Sequence, residues 1–299
     1  SMDFRLDVEN ATNATNNTAP NPDGSWPVTS RRMNVLKHAL TQIFNDHILL
    51  PEGKIRLAWQ TMNNNANSPI TIAPGAVNSM KVLTDQHRNN FLTFLAPVGS
   101  GGMGVNGGTP THGMMQRADA YMRTPLGTNS PFASTPGSQG EPYLACRRNY
   151  HIVMTDGRWN GAVSGGSQDN RTVDKTLPDG TVYGSTTPAL RPNNFLYHDT
   201  YSNTLADWAF YSWATPLQST GLTGSITPAS DYLNASAQEN FGNDGAGNAA
   251  ILDKYWNPRY NPATWAHMVT YTIGFSNMAI TWPGFPSIVA PTDKVPFGY

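Results

Sequence analysis

The stretch Tyr150-His151-Ile152-Val153-Met154-Thr155, closing on Asp156-Gly157, constrains the fold more than any other part of the chain. A short apolar run that stops at an Asp-Gly pair reads as a buried strand meeting a turn. Helical patterns stand on either side of it. Ser30 reads as the N-cap of a helix to about Asp46, with Val35, Leu36, Ala39, Leu40, Ile43 and Phe44 at helical spacing. Ile55, Leu57 and Trp59 alternate with polar residues as a half-buried strand, and short extended pieces fall near 69–73 and 79–83. Thr84 or Asp85 opens a second helix carrying Phe91, Leu92, Phe94 and Leu95. Thr109 as N-cap and Pro110 at the first helical position open a third, whose buried face is Met114, Met115, Ala118, Tyr121 and Met122. Leu205, Trp208, Ala209 and Trp213 mark a fourth helix, and Met268 to Phe275 the last clear strand.

Strands that alternate with helices predict an α/β fold, a doubly wound and mostly parallel sheet flanked by helices. The stretch to about Thr29 reads as a long loop. Residues 158–200 read as an inserted loop or hairpin and 216–262 as loop. With neither an internal repeat nor a clean linker, the expected organisation is one decorated domain over 1–299, its core at about 30–280.

Composition removes several classes of function. Charged residues make up 13% of the 299, against roughly 25% in an ordinary soluble protein. The polar surface must therefore come from Asn, Ser, Thr and Gly, a composition that suits extracellular proteins. The net charge of −1 and the lack of a Lys/Arg stripe argue against a nucleic-acid partner. No run approaches the roughly 18 apolar residues of a membrane span. The single cysteine, Cys146, forbids an internal disulfide and a cysteine-based zinc site, and reads as a buried thiol beside a strand.

Two short stretches carry candidate chemistry, Gly108-Thr109-Pro110 and Thr155-Asp156-Gly157. One lies where a loop enters a helix and the other at the carboxyl end of a strand, the places where open α/β sheets gather ligands. Their hydroxyl and carboxylate are hard oxygen donors, suited to Mg²⁺ or Ca²⁺ completed by water.

The order and context of these stretches resemble the PilY-type pilus tip adhesins, through GGTPTHGMMQRADAYM, RRNYHIVMTDGRWN, YSNTLADWAFYSW and PATWAHMVTYTIGF. The likeness spans about residues 30–280 and includes the segment Ser30 to Lys37. It implies a von Willebrand factor A-like (vWA) domain at a pilus tip, extracellular or at the cell surface. Such a domain would be an adhesion module, not an enzyme, with minor pilins and a host or abiotic surface ligand as partners and with roles in pilus assembly and twitching motility. It implies too a metal-ion-dependent adhesion site, in which Thr109 matches the threonine and Asp156 the second aspartate. The family's first metal loop, an Asp-x-Ser-x-Ser pattern, has no complete copy here; Ser1-Met2 reads either as its last two residues or as a cloning scar. Metal affinity is accordingly expected to be weak or absent, and a structural or mechanosensing docking domain for minor pilins with a vestigial metal site is the alternative reading.

Other motifs are set aside. Gly99 to Gly104 matches G-x-G-x-x-G but follows a helix, where a dinucleotide fingerprint must follow a strand. Asn240 to Gly245 is a poor calcium loop, because Ile251 stands where the bidentate Glu belongs. His112 is read as exposed, with a hydrogen-bond donor behind the Thr109 site as the alternative, Trp208 and Trp213 as core, and Trp159 as a surface contact.

Overall fold

A computed structural model describes residues 2, 5–7, 12–62, 72–73, 75–98, 100, 102–105, 108–155, 165–166, 168, 174–184, 202–222, 226–243 and 249–274. Ser1, Asp156, Trp159 and the extended piece at 69–71 lie outside this set. The chain is mixed α/β and packs as two compact units. The first contains most of residues 1–142, and the second most of residues 163–271.

In the first unit, α1 (Arg32–Asn45), β1 (Arg56–Leu57), β2 (Lys81–Val82), α2 (Asp85–Phe94) and α3 (Thr111–Met122) follow in chain order. The strands β1 and β2 pair antiparallel, Arg56 opposite Val82. The helix α2 begins where the sequence predicts, with the Thr84 side chain accepting from the His87 amide at 3.2 Å. For α1 the cap differs. Its N-cap is Arg31, whose side chain makes no capping hydrogen bond to the first turn, and Ser30 is buried with its hydroxyl accepting from Asn17 at 2.9 Å. The preceding stretch, read as loop, is tied to this helix entry. The Thr15 carbonyl accepts from the Arg31 amide, and the Asn16 side chain accepts from Arg31 Nε at 2.6 Å.

The buried side of α1 also departs from the apolar pattern. Met33, Asn34 and Lys37 are buried and Ile43 is exposed. Leu40 and Phe44 lie against a hydrophobic cluster of Trp59, Phe91 and Leu95. The sequence pattern gives Lys37 no weight as a core residue because it scores only the charge. The four-carbon stem is itself apolar and fills an interior position when the amine finds acceptors.

The second unit contains β4 (Lys175–Thr176), β5 (Val182–Tyr183), α4 (Leu205–Ala214), α5 (Ser230–Asn234), β6 (Gln238–Asn243) and β7 (Ala249–Asp253). Both β4–β5 and β6–β7 are antiparallel hairpin pairs. Residues 216–262 are thus not plain loop but carry a helical turn and a hairpin. The helix α4 opens on a capping box: Thr204 accepts from the Asp207 amide, and Asp207 accepts from the Thr204 amide at 2.8 Å. Its buried face joins Leu177, Tyr183, Leu252, Trp256, Ala263 and Trp265 in one core, with Trp213 packed on it. Trp208 is half-buried, with its ring over Gly165.

The strand predicted from 150–155 is β3 (Asn149–Thr155), and it pairs in parallel with β8 (Met268–Gly274). It is buried on one side only. Tyr150 and Ile152 are more than half exposed, and the Tyr150 ring lies 5.9 Å from that of the equally exposed Tyr271. Among the described residues this is the parallel pair, and the remaining pairs have two strands each. A larger doubly wound sheet is not seen among them.

Candidate functional site

Thr109 stands in the loop that enters α3, as the sequence predicts, and is half-buried. The helix begins one residue later than expected. Pro110 is its N-cap, with φ −79° and ψ 65°, and Thr111 its first residue. The Thr109 carbonyl accepts from the Thr111 amide at 2.9 Å, a tight turn that fixes the backbone at the helix mouth. A proline N-cap has no side-chain oxygen for the first amides, so their partners must come from elsewhere.

The segment after β1 lies along this helix. Gln60 Nε2 donates to the Met114 carbonyl at 3.0 Å, and the Arg117 guanidinium donates to the carbonyls of Thr61 at 2.9 Å and Met62 at 3.0 Å. Burial lowers the Arg117 pKa from its ordinary value. Met114, Met115, Ala118, Tyr121 and Met122 are all buried, the face read from their spacing. The Tyr121 hydroxyl accepts from the Met80 amide at 2.9 Å, and burial pushes its phenol up. His112, expected at the surface, is only 4% exposed. On α3 it sits one residue after buried Thr111, so the first turn of the helix is interior on that side.

Asp156 follows directly on Thr155, the last residue of β3, and lies outside the described residues, as does Ser1. The meeting of Thr109, Asp156 and Ser1 therefore rests on the resemblance and on strand direction. The chemistry of the proposed donors, two hydroxyls and a carboxylate, fits a hard divalent cation. No group of three His, Cys, Asp or Glu side chains with metal-site spacing occurs among the described residues.

The described residues of the glycine-rich loop before Thr109 are held by α1 and the end of α2. Lys37 is 2% exposed as a residue, and its amine donates to the carbonyl of Ala96 at 2.6 Å and to that of Met103. The Val98 amide donates to Asn34 Oδ1 at 3.0 Å, and the Met103 amide to the Phe94 carbonyl at 2.9 Å. Gly102 lies directly against the backbone of Ala96, where a Cβ has no room. The loop thus folds back onto the end of α2 and is pinned to α1. Sequence reading rejected the dinucleotide motif but missed the role of Lys37.

Cys146, expected buried, is exposed, three residues ahead of β3. His151 on β3 has its Nδ1 buried without a partner among the described residues, and burial lowers its pKa to about 4. His267, just before β8, donates from Nδ1 to the Trp265 carbonyl at 2.6 Å, so its Nε2 accepts from Asn261 at 2.7 Å. The same Asn261 accepts from Trp213 Nε1 at 3.2 Å, and Trp265 Nε1 donates to the Trp213 carbonyl at 2.7 Å. This closed ring of neutral bonds needs an uncharged imidazole, and burial depresses the His267 pKa accordingly.

Over about three quarters of its length the chain is homologous to type IV pilus biogenesis factors. It is 40% identical over 233 residues, 75% of the chain, to the type IV pilus biogenesis factor PilY1 of Pseudomonas aeruginosa strain PAK. It is 34% identical over 246 residues, 79% of the chain, to PilY1 of strain UCBPP-PA14. These alignments take in 17% and 18% of the two proteins, so the chain spans less than a fifth of the curated relatives' length. No family model matches the chain. No solved structure matches it. No helix among the described residues is long and apolar enough to cross a membrane.

Proposed function

We propose that the chain is the surface-binding, vWA-like part of a type IV pilus biogenesis factor. It would act outside the cell at the pilus tip and support pilus assembly and twitching motility. The homology to PilY1 at 34–40% identity is the observation that carries this reading. The activity is binding, not catalysis: attachment to an abiotic surface or a host ligand, with minor pilins as assembly partners. Thr109 and Asp156, with Ser1 if it is native, would hold Mg²⁺ or Ca²⁺. The cation would supply the positive point that captures a ligand carboxylate. The half-buried placement of Thr109 at the mouth of α3 agrees with a ligating hydroxyl.

A second reading, a docking domain for minor pilins with a vestigial metal site, is favoured by one observation. The first metal loop of the family has no complete copy in the sequence. The two readings separate on paired variants in the producing bacterium. Deleting the segment encoding residues 1–299 is expected to abolish both surface pili and attachment. Thr109→Ala and Asp156→Ala are expected to keep pili but lose attachment and calorimetric Mg²⁺ or Ca²⁺ binding. Attachment unchanged in both substitutions supports the docking reading, and unchanged pili and attachment in the deletion overturn both.

A further inference from the structure

One face of the second unit gathers three tyrosines and three carboxylates that the proposed function does not use. Asp179 stands in the turn between β4 and β5, Asp231 and Tyr232 on α5, Glu239 on β6, and Tyr255 and Tyr260 after β7. The Tyr255 hydroxyl donates to Asp179 Oδ2 at 2.6 Å, and the Tyr260 hydroxyl to Glu239 Oε1 at 2.7 Å. Tyr232 joins the two pairs. Its ring lies 6.4 Å from that of Tyr260, and Asp179 is near enough to add to burial in raising its phenol. Both carboxylates are themselves held. Asp179 Oδ1 accepts from the Thr181 amide at 2.9 Å, and Glu239 Oε2 from the buried Asn257 side chain at 3.1 Å. The tips of two rings are thus tied to fixed points, while all three tyrosines stay partly exposed. Holding a partly exposed tyrosine in one rotamer costs entropy on folding and lowers the cost of binding something against its ring.

We infer that Tyr232, Tyr255 and Tyr260 form a stacking platform for a neutral sugar chain, with Asp179, Asp231 and Glu239 as acceptors for its hydroxyls. Charge decides between ligand classes. A cationic ligand would sit over a ring or against a carboxylate, and the chain's own cations already stand there. The Lys254 ammonium is 4.9 Å from the centre of the Tyr232 ring, and Arg259 Nη1 lies 3.6 Å from Glu239 Oε2. An anion would meet three carboxylates on this face. What remains is an uncharged ligand. A sugar ring has a face of weakly positive C–H groups that suits the negative face of an aromatic ring, and a rim of hydroxyls that suits fixed acceptors. The tyrosine hydroxyls keep their protons, because Glu239 raises the Tyr260 phenol and burial, with Asp179 adding to it, raises that of Tyr255. The platform rests on the surface-binding reading and deepens it, naming a neutral glycan as the ligand class.

Saturation-transfer NMR on the full chain tests the platform. Cellohexaose, chitohexaose and maltohexaose serve as neutral probes, and trilysine and a sulfated heparin disaccharide as ionic ones. At least one neutral probe is expected to receive saturation at its ring C–H protons, and neither ionic probe is. Tyr232→Ala and Tyr260→Ala should each weaken the Kd for that sugar by about tenfold. Tyr260→Phe, which keeps the ring and loses the bond to Glu239, should weaken it less. The Leu252 and Trp265 amide signals report that the second unit is folded. If an alanine variant does not fold, Tyr232→Leu and Tyr260→Leu take its place, keeping apolar bulk without a ring. No neutral probe bound, an ionic probe bound instead, or a Kd in the folded variants that matches wild type overturns the platform. Sugar binding is measured on the purified chain and attachment on cells. Failure here beside lost attachment in the deletion strain therefore sinks the glycan and leaves the surface-binding reading standing.

Discussion

The two units of this chain solve the same problem with opposite materials. The interior of the first is closed by long cationic side chains whose charged ends reach main-chain carbonyls. Lys37 binds the loop after α2, Arg88 binds the carbonyls of Phe44 and Leu50 at the end of α1 and beyond it, and Arg117 binds those of Thr61 and Met62. The interior of the second is aromatic, and its polar atoms meet in the neutral ring of Trp213, Asn261, His267 and Trp265. In a chain with so few charges, the first unit places several of its cations inside. There each one satisfies helix-end or loop carbonyls that would otherwise be buried without a donor. Among the described residues of the second no lysine or arginine is buried, and indole and amide donors take that place.

This contrast can be broken in order of effect. Trp265→Ala removes a large buried ring and the donor to the Trp213 carbonyl; it should cost about 3–5 kcal/mol in a urea titration. Arg88→Met preserves volume but orphans two carbonyls, at about 1–3 kcal/mol. If Arg88→Met costs more than Trp265→Ala, main-chain satisfaction and not aromatic burial carries the stability of this protein. Thr204→Ala removes one half of the capping box of α4 and should cost about 1 kcal/mol. A further effect is a slope with pH. His151, held near 4 against an ordinary value of 6.5, binds a proton more readily in the unfolded chain between those values. Stability should therefore fall as pH drops from 6.5 toward 4, and the fall should be shallower in His151→Gln. An equal slope in the variant would assign the acid sensitivity to other groups.

Much of the helical framework was legible because a single apolar face decides it. All five residues read as the buried side of α3 are buried, and α2 starts on the threonine that the sequence marks. The buried side of α1 was not legible, because Lys37 and Asn34 look like surface residues until their carbonyl and amide partners, some sixty positions away, are known. The hairpin of β6 and β7 is only faintly legible, because Asn243-Asp244-Gly245 between two short runs is a hairpin signal that overlaps a calcium-loop-like pattern. The site was legible only as far as local chemistry goes. A threonine before a helix and an aspartate after a strand can be marked singly, whereas their convergence depends on tertiary geometry that no local spacing encodes. Cys146 and His112 were each assigned the wrong environment for the same reason, since a single residue of either type carries no periodicity.

The compact units are not consecutive in the chain. The polypeptide leaves the first after Pro142, and residues 153–155 and 272–274 return to it, with residues of the second unit between. No single cut in the gene can therefore release either half intact. Mapping which half recognises a surface calls for point substitutions or for grafting a discontinuous set of segments, and a nested series of truncations would report loss of folding at nearly every step.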